Sequence, residues 1–90
     1  MSTTPTQDDV LAAIRDELSE IKVPGAQDAG PQSTWADLDV DSLDLVEVVK
    51  ALEDRYEVAI ADGRLKGIES VGDAIALVQE LVGEREGARA

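Results

Sequence analysis

The 90-residue chain has no cysteine, histidine or phenylalanine, and its aromatic residues are one tryptophan, Trp35, and one tyrosine, Tyr56. Without cysteine there is no disulfide frame, no thiolate nucleophile and no thiolate metal site. Without histidine the usual general base near neutral pH is missing. So few aromatics leave a core of Leu, Ile, Val and Ala, which suits a small helical bundle and offers little with which to enclose a substrate. These absences argue against an enzyme. Positive charge is also scarce, with 8 basic against 20 acidic residues and a formal net charge of −12. That balance repels phosphate backbones and anionic lipids, so nucleic acid and membrane surfaces are excluded as partners. It steers the chain toward proteins with positive patches. MSTTPTQDD carries neither a basic n-region nor an apolar run, and no window could span a bilayer, so a cytoplasmic protein is expected. The length fits one domain.

Apolar spacing predicts three main helices and one short one, an all-α bundle with no strand and no repeat. Thr4 as cap, Pro5 at the first helical position and Gln7 at capping-box spacing predict the start of the first helix. Val10, Leu11, Ile14, Leu18 and Ile21 share one face of it, and Pro24 predicts its end at Val23. Residues 24–34 read as a long loop without regular structure, pinned to the core by Trp35, Leu38 and Val40, with Trp35 as a core plug. A second helix is predicted over 41–56, where Leu45, Val48, Val49, Leu52 and Tyr56 form the inner stripe. Asp44, Glu47, Lys50, Glu53 and Asp54 fall opposite, with Leu43 and Val46 beside them as apolar residues near the charged side. A short turn of helix is expected around 62–66. Ser70 with Asp73 caps a last helix striped by Val71, Ala74, Ile75, Val78 and Leu81, which Gly83 should stop. The expected division is a flexible segment 1–3, a domain 4–82 and a flexible tail 83–90.

The second helix begins in DLDVDSLDLVEV. Asp41 is a natural N-cap, which leaves the Ser42 hydroxyl facing solvent in the first turn, where free backbone N–H groups and the helix dipole favour a phosphate. Asp37, Asp39 and Asp41 alternate like the first ligands of a calcium loop. The sixth position, which needs glycine, is Ser42, and the twelfth, which needs glutamate, is Val48, so no metal site is assigned. No histidine exists to activate Ser42, and no lysine stands in a recognisable pairing with it. If Ser42 does chemistry, another protein activates it.

Thr34-Trp35, Asp37-Leu38, Asp41-Ser42-Leu43-Asp44, VEVVKALEDRYEVAI and IESVGDAI together resemble an acyl carrier protein over most of the chain from Trp35 to Val82. The resemblance implies that Ser42 receives the 4′-phosphopantetheine arm of coenzyme A from a phosphopantetheinyl transferase, with Asp41 in support. The arm supplies the thiol that the chain lacks, and acyl groups ride on it as thioesters in polyketide or fatty acid biosynthesis. Asp39, Leu43, Asp44, Val46, Glu47, Lys50, Glu53 and Asp54 are expected to meet basic patches on the transferase, an acyltransferase, a ketosynthase and other synthase enzymes, with the carrier itself a monomer. The aliphatic core could also shelter an acyl chain. Asp39 stands where the family commonly has glycine, Lys50 where it has an apolar docking residue, and Ala61 where proline often follows the isoleucine. These departures lean toward a dedicated polyketide or other specialised pathway. A peptidyl carrier, whose motif usually has paired glycines before the serine, and an unmodified acidic helical adaptor for basic protein surfaces are the alternatives.

Overall fold

The computed structural model describes residues 4–89 and, within them, every side chain except those of Asp62 and residues 85–89. The flexible segment expected at 1–3 and the last residue of the tail lie outside the described residues. Helices α1 (Gln7–Glu20), α2 (Ser42–Tyr56), α3 (Asp62–Leu65) and α4 (Val71–Arg89) follow in chain order, with a 3₁₀ turn at Ala26–Asp28. Among the described residues there is no strand, and one isolated antiparallel bridge joins Thr34 to Ser70. The all-α reading holds. No helix among the described residues is long and apolar enough to cross a membrane.

Helix α1 starts two residues later than expected. Thr6, not Thr4, is the cap: its Oγ1 accepts from the Asp9 N–H at 3.1 Å, while Asp9 Oδ2 accepts from the Thr6 N–H at 3.3 Å. Both threonines have a polar residue at the box spacing, and Asp9 adds a negative charge beside the helix start, which the dipole favours. The helix ends at Glu20, before Val23. Lys22 turns left-handed (φ 61°), its N–H donates to Ser19 O at 3.0 Å, and the Val23 N–H returns to Leu18 O at 2.9 Å. This paired closure satisfies the last carbonyls and carries buried Val23 back onto the core.

Val10, Ile14, Leu18, Val48, Leu52, Val71 and Val78 are the largest fully enclosed side chains, and they bring α1, α2 and α4 together. Removing each such aliphatic side chain from water contributes about 1.5–3 kcal/mol. Helix α1 packs on both α2 and α4, and α2 also meets α4. The 24–34 segment is more ordered than the loop expected there. It contains the 3₁₀ turn, buries Ala26 and Ala29, and is strapped to α1 by Arg15 Nε, which donates to Ala29 O at 2.7 Å.

Helix α4 opens on a reciprocal cap, with Ser70 Oγ accepting from the Asp73 N–H and Asp73 Oδ2 accepting from the Ser70 and Glu69 N–H groups. It then runs through Gly83 to Arg89, so the stop expected at Gly83 is absent. An interior glycine costs a helix only about 1 kcal/mol relative to alanine, and Glu84, Arg85 and Glu86 are good helix formers that carry it onward.

Candidate functional site

Trp35 is the foundation of the site. It is 5% exposed, and its Nε1–H donates to Ile68 O at 3.1 Å while its own N–H donates to Glu69 O at 3.2 Å. Both bonds tie the chain before α2 to the chain before α4. The Trp35 carbonyl in turn accepts from the Val40 N–H at 2.9 Å, and Thr34 Oγ1 accepts from the Asp37 N–H at 3.0 Å, closing a compact turn over residues 34–40. Asp39 lies in that turn with φ 58°, a left-handed backbone that glycine adopts freely and aspartate tolerates better than most residues. Val40 and partly buried Leu38 anchor the turn to the core, as expected of them.

Two residues later Asp41 caps α2, its Oδ1 accepting from the Asp44 N–H at 2.8 Å. A cap of this kind contributes about 0.5–2 kcal/mol and fixes the first turn in space. Ser42 therefore stands in a rigid setting, exposed, with its hydroxyl unengaged among the described residues. The other described serines differ. Ser19 Oγ accepts from Gln27 Nε2 at 2.8 Å, Ser33 Oγ from the Gly30 N–H at 3.0 Å, and Ser70 Oγ from the Asp73 N–H at 3.2 Å. Each of those three hydroxyls is occupied in holding the fold.

The residues grouped around Ser42 from sequence do share one region, but in unequal environments. Leu43 is 78% exposed, the one large hydrophobic residue of the described set so open to water. Leu43, Glu47, Lys50 and Asp54 recur at helical spacing, and all four are exposed. With 1.5 Å of rise per residue, the strip from Ser42 to Asp54 is about 18 Å long. Val46 and Asp44 are half-buried beside it, and Asp39 is exposed just before it. Glu53 is half-buried, and its Oε2 accepts from the Ile60 N–H at 2.8 Å. Nothing at that spacing in the sequence signals such a bond, because it closes across a turn instead of along a helix.

The acids extend their influence to the neighbouring helix. Burial, aided by the charges of Glu20 and Glu47, raises the Glu17 carboxyl above its ordinary value. Among the described residues no three carboxylates converge on a point where they could hold a metal ion. The exposed serine fits a covalently attached phosphate-linked group: its oxygen is accessible and uncommitted, and the helix dipole lends an anion there about 0.3–1 kcal/mol.

Comparison with known proteins accords with this geometry. Residues 8–78 match the family described as "Phosphopantetheine attachment site". The chain is 35% identical over 86 residues to the meromycolate extension acyl carrier protein of Mycolicibacterium smegmatis, covering 94% of this chain and 87% of that one. It is 37% identical over 77 residues to the protein of the same name from Mycobacterium tuberculosis, covering 84% and 67%. To the acyl carrier protein of Rhodococcus erythropolis it is 36% identical over 86 residues, covering 94% and 92%.

Proposed function

The chain belongs to the acyl carrier proteins, which bear a covalent 4′-phosphopantetheine, and on that premise we propose that Ser42 is the residue to which the arm is attached. As a member of that family it is a carrier and not an enzyme, served by a phosphopantetheinyl transferase and visited by synthase enzymes. The observation that supports Ser42 is its hydroxyl, which is exposed and free where Ser19, Ser33 and Ser70 spend theirs on hydrogen bonds.

When bound, the arm supplies a thiol that holds acyl groups as thioesters. Loading exchanges the Ser42 O–H bond for an O–P bond to the pantetheine-side phosphorus of coenzyme A. The P–O bond to the bridging oxygen breaks, adenosine 3′,5′-bisphosphate leaves, and the proton passes to a base on the transferase. This chain's own share is placement. Asp41 holds the first turn of α2, and Trp35 holds the turn that delivers it.

Asp39, Leu43, Asp44, Val46, Glu47, Lys50 and Asp54 form the docking strip in this reading, acids steering encounter with basic patches while Leu43 and Val46 supply apolar contact. The partners are the transferase, an acyltransferase, a ketosynthase and related enzymes of polyketide or fatty acid type synthesis, met by a carrier that acts as a cytoplasmic monomer. Lys50, an exposed cation within the strip, favours a dedicated set of partners over a general one. Incubation with coenzyme A and a broad-specificity transferase should add one phosphopantetheine mass to the wild type and none to Ser42→Ala. Equal loading of the variant would refute the assignment. Reversing Glu47 and Asp54 to lysine should slow loading most at low salt.

A further inference from the structure

Helix α3 has only four residues and, among the described residues, packs extensively against no other helix. Its place depends on what grips the chain on either side of it. Downstream, buried Ile68 is held by its carbonyl, which accepts the Trp35 indole N–H inside the core. Upstream, buried Ile60 is held by its N–H, which donates to the Glu53 carboxylate at 2.8 Å. Glu53 also gathers the end of α2 with its main chain, since its carbonyl accepts from the Glu57 and Val58 N–H groups. Within α3 itself, partly buried Leu65 packs against the core, and the Arg64–Glu80 ion pair, about half exposed on both sides, is worth little.

We propose that Glu53 is a positioning residue and not a docking contact: its carboxylate fastens the connector between α2 and α3, and so helps set where α3 lies. The assignment of the strip rests on the reading given above. The fastener itself rests on the geometry alone. Burial separates Glu53 from its neighbours, for Glu47, Lys50 and Asp54 are exposed while Glu53 is half-buried. Its hydrogen bond spans seven residues, and a charge-assisted bond from a carboxylate to a backbone N–H is among the stronger kinds. Without it, the Ile60 N–H faces a half-buried setting with no partner.

Glutamine and alanine remove the same charge at position 53, yet only glutamine keeps an acceptor oxygen at the same reach. Amide hydrogen exchange measured on the 15N-labelled wild type, Glu53→Gln and Glu53→Ala therefore isolates the bond from the charge. Exchange at Ile60 should quicken at least tenfold in Glu53→Ala and less than threefold in Glu53→Gln, with the amides of Ile14 and Leu18 unchanged as a check on the fold. Equal exchange at Ile60 in both variants, or wild-type exchange in Glu53→Ala, would overturn the proposal. Loading of the same variants with coenzyme A and a broad-specificity transferase supplies the functional readout, with Asp54→Asn as the charge-matched neighbour. Positioning gives kcat/KM for Glu53→Gln within twofold of wild type and below half for Glu53→Ala. A docking contact instead slows Glu53→Gln as much as Glu53→Ala, and that result also overturns the proposal. Should Ser42 fail to load in any form, including wild type, the attachment assignment falls while the exchange measurement still decides the role of Glu53.

Discussion

Gly72 gives a prediction in which two known effects have opposite sign. It is the second residue of α4, and its N–H donates to Pro31 O at 2.7 Å. A Cβ placed on it would lie 2.7 Å from that same oxygen and 3.5 Å from the carbonyl carbon. These are backbone atoms, so no side-chain rotation relieves the clash. Alanine gains up to about 1 kcal/mol of helix propensity. Against this, ordinary contact begins at 3.4 Å, so the carbonyl must retreat by the difference, about 0.7 Å, which stretches its hydrogen bond to about 3.4 Å, past the usual range of about 2.7–3.2 Å. An N–H deprived of its partner costs about 1–3 kcal/mol. The adjacent bond from the Val71 N–H to Ser33 O, 2.9 Å, belongs to the same seam and weakens with it, at about 0.5–1.5 kcal/mol. The clash wins: Gly72→Ala should destabilise by about 1–3 kcal/mol, lowering Tm by about 4–24 °C at the 4–8 °C per kcal/mol of a domain this size. Gly83→Ala is the matched control in the same helix, since a Cβ there meets nothing within 4 Å. It should raise stability by up to about 1 kcal/mol. Thermal unfolding followed by far-UV circular dichroism reads both. A Gly72→Ala protein that melts at or above wild type would refute the reasoning.

Trp35→Phe removes the donor to Ile68 O while keeping most of the ring, so a buried carbonyl goes unpaired at a cost of about 1–3 kcal/mol; urea midpoints should fall accordingly, and a change under about 0.5 kcal/mol would contradict the role of the indole N–H. Ala61 already has φ −64° outside α3, the angle proline imposes, so Ala61→Pro should stabilise by about 0.4–1 kcal/mol through the unfolded state, read by the same titration. Burial and the charges of Glu20 and Glu47 raise the folded pKa of Glu17, which means that its ionised form opposes folding. That penalty is fully present above the folded pKa and is relieved as pH falls through it, so Glu17→Gln should be more stable than wild type at neutral pH and lose its advantage in acid. Melting curves across pH check the sign, and a Gln variant less stable at neutral pH would reverse it.

What could be read from the sequence was local. The 3.6-residue stripes located α1, α2 and α4, and the caps at Asp41 and Ser70 follow from short-range side-chain chemistry. Asp39 was legible as an unusual backbone position because aspartate stood where related chains commonly have glycine, and its φ is 58°. Thr4 and Thr6 offered two caps at similar spacing, and only the reciprocal bond with Asp9 separates them. Lys22 carries no sign of its left-handed turn, since glycine or asparagine is the usual marker there. The bonds from Trp35 to Ile68, from Ile60 to Glu53 and from Gly72 to Pro31 join residues that only folding brings together. Glu53 shows the consequence most clearly, because a helical projection places it among solvent-facing acids while its carboxylate is turned to the connector.

The central claim is that the arm rests on Ser42, and site-localising fragmentation mass spectrometry of the protein purified from its own cells tests it most directly. Phosphopantetheine on the peptide fragment that contains Ser42, with Ser19, Ser33 and Ser70 unmodified, is the expected result. The same group localised to another residue, or a wholly unmodified Ser42 in cells that make the protein in functional form, would contradict it.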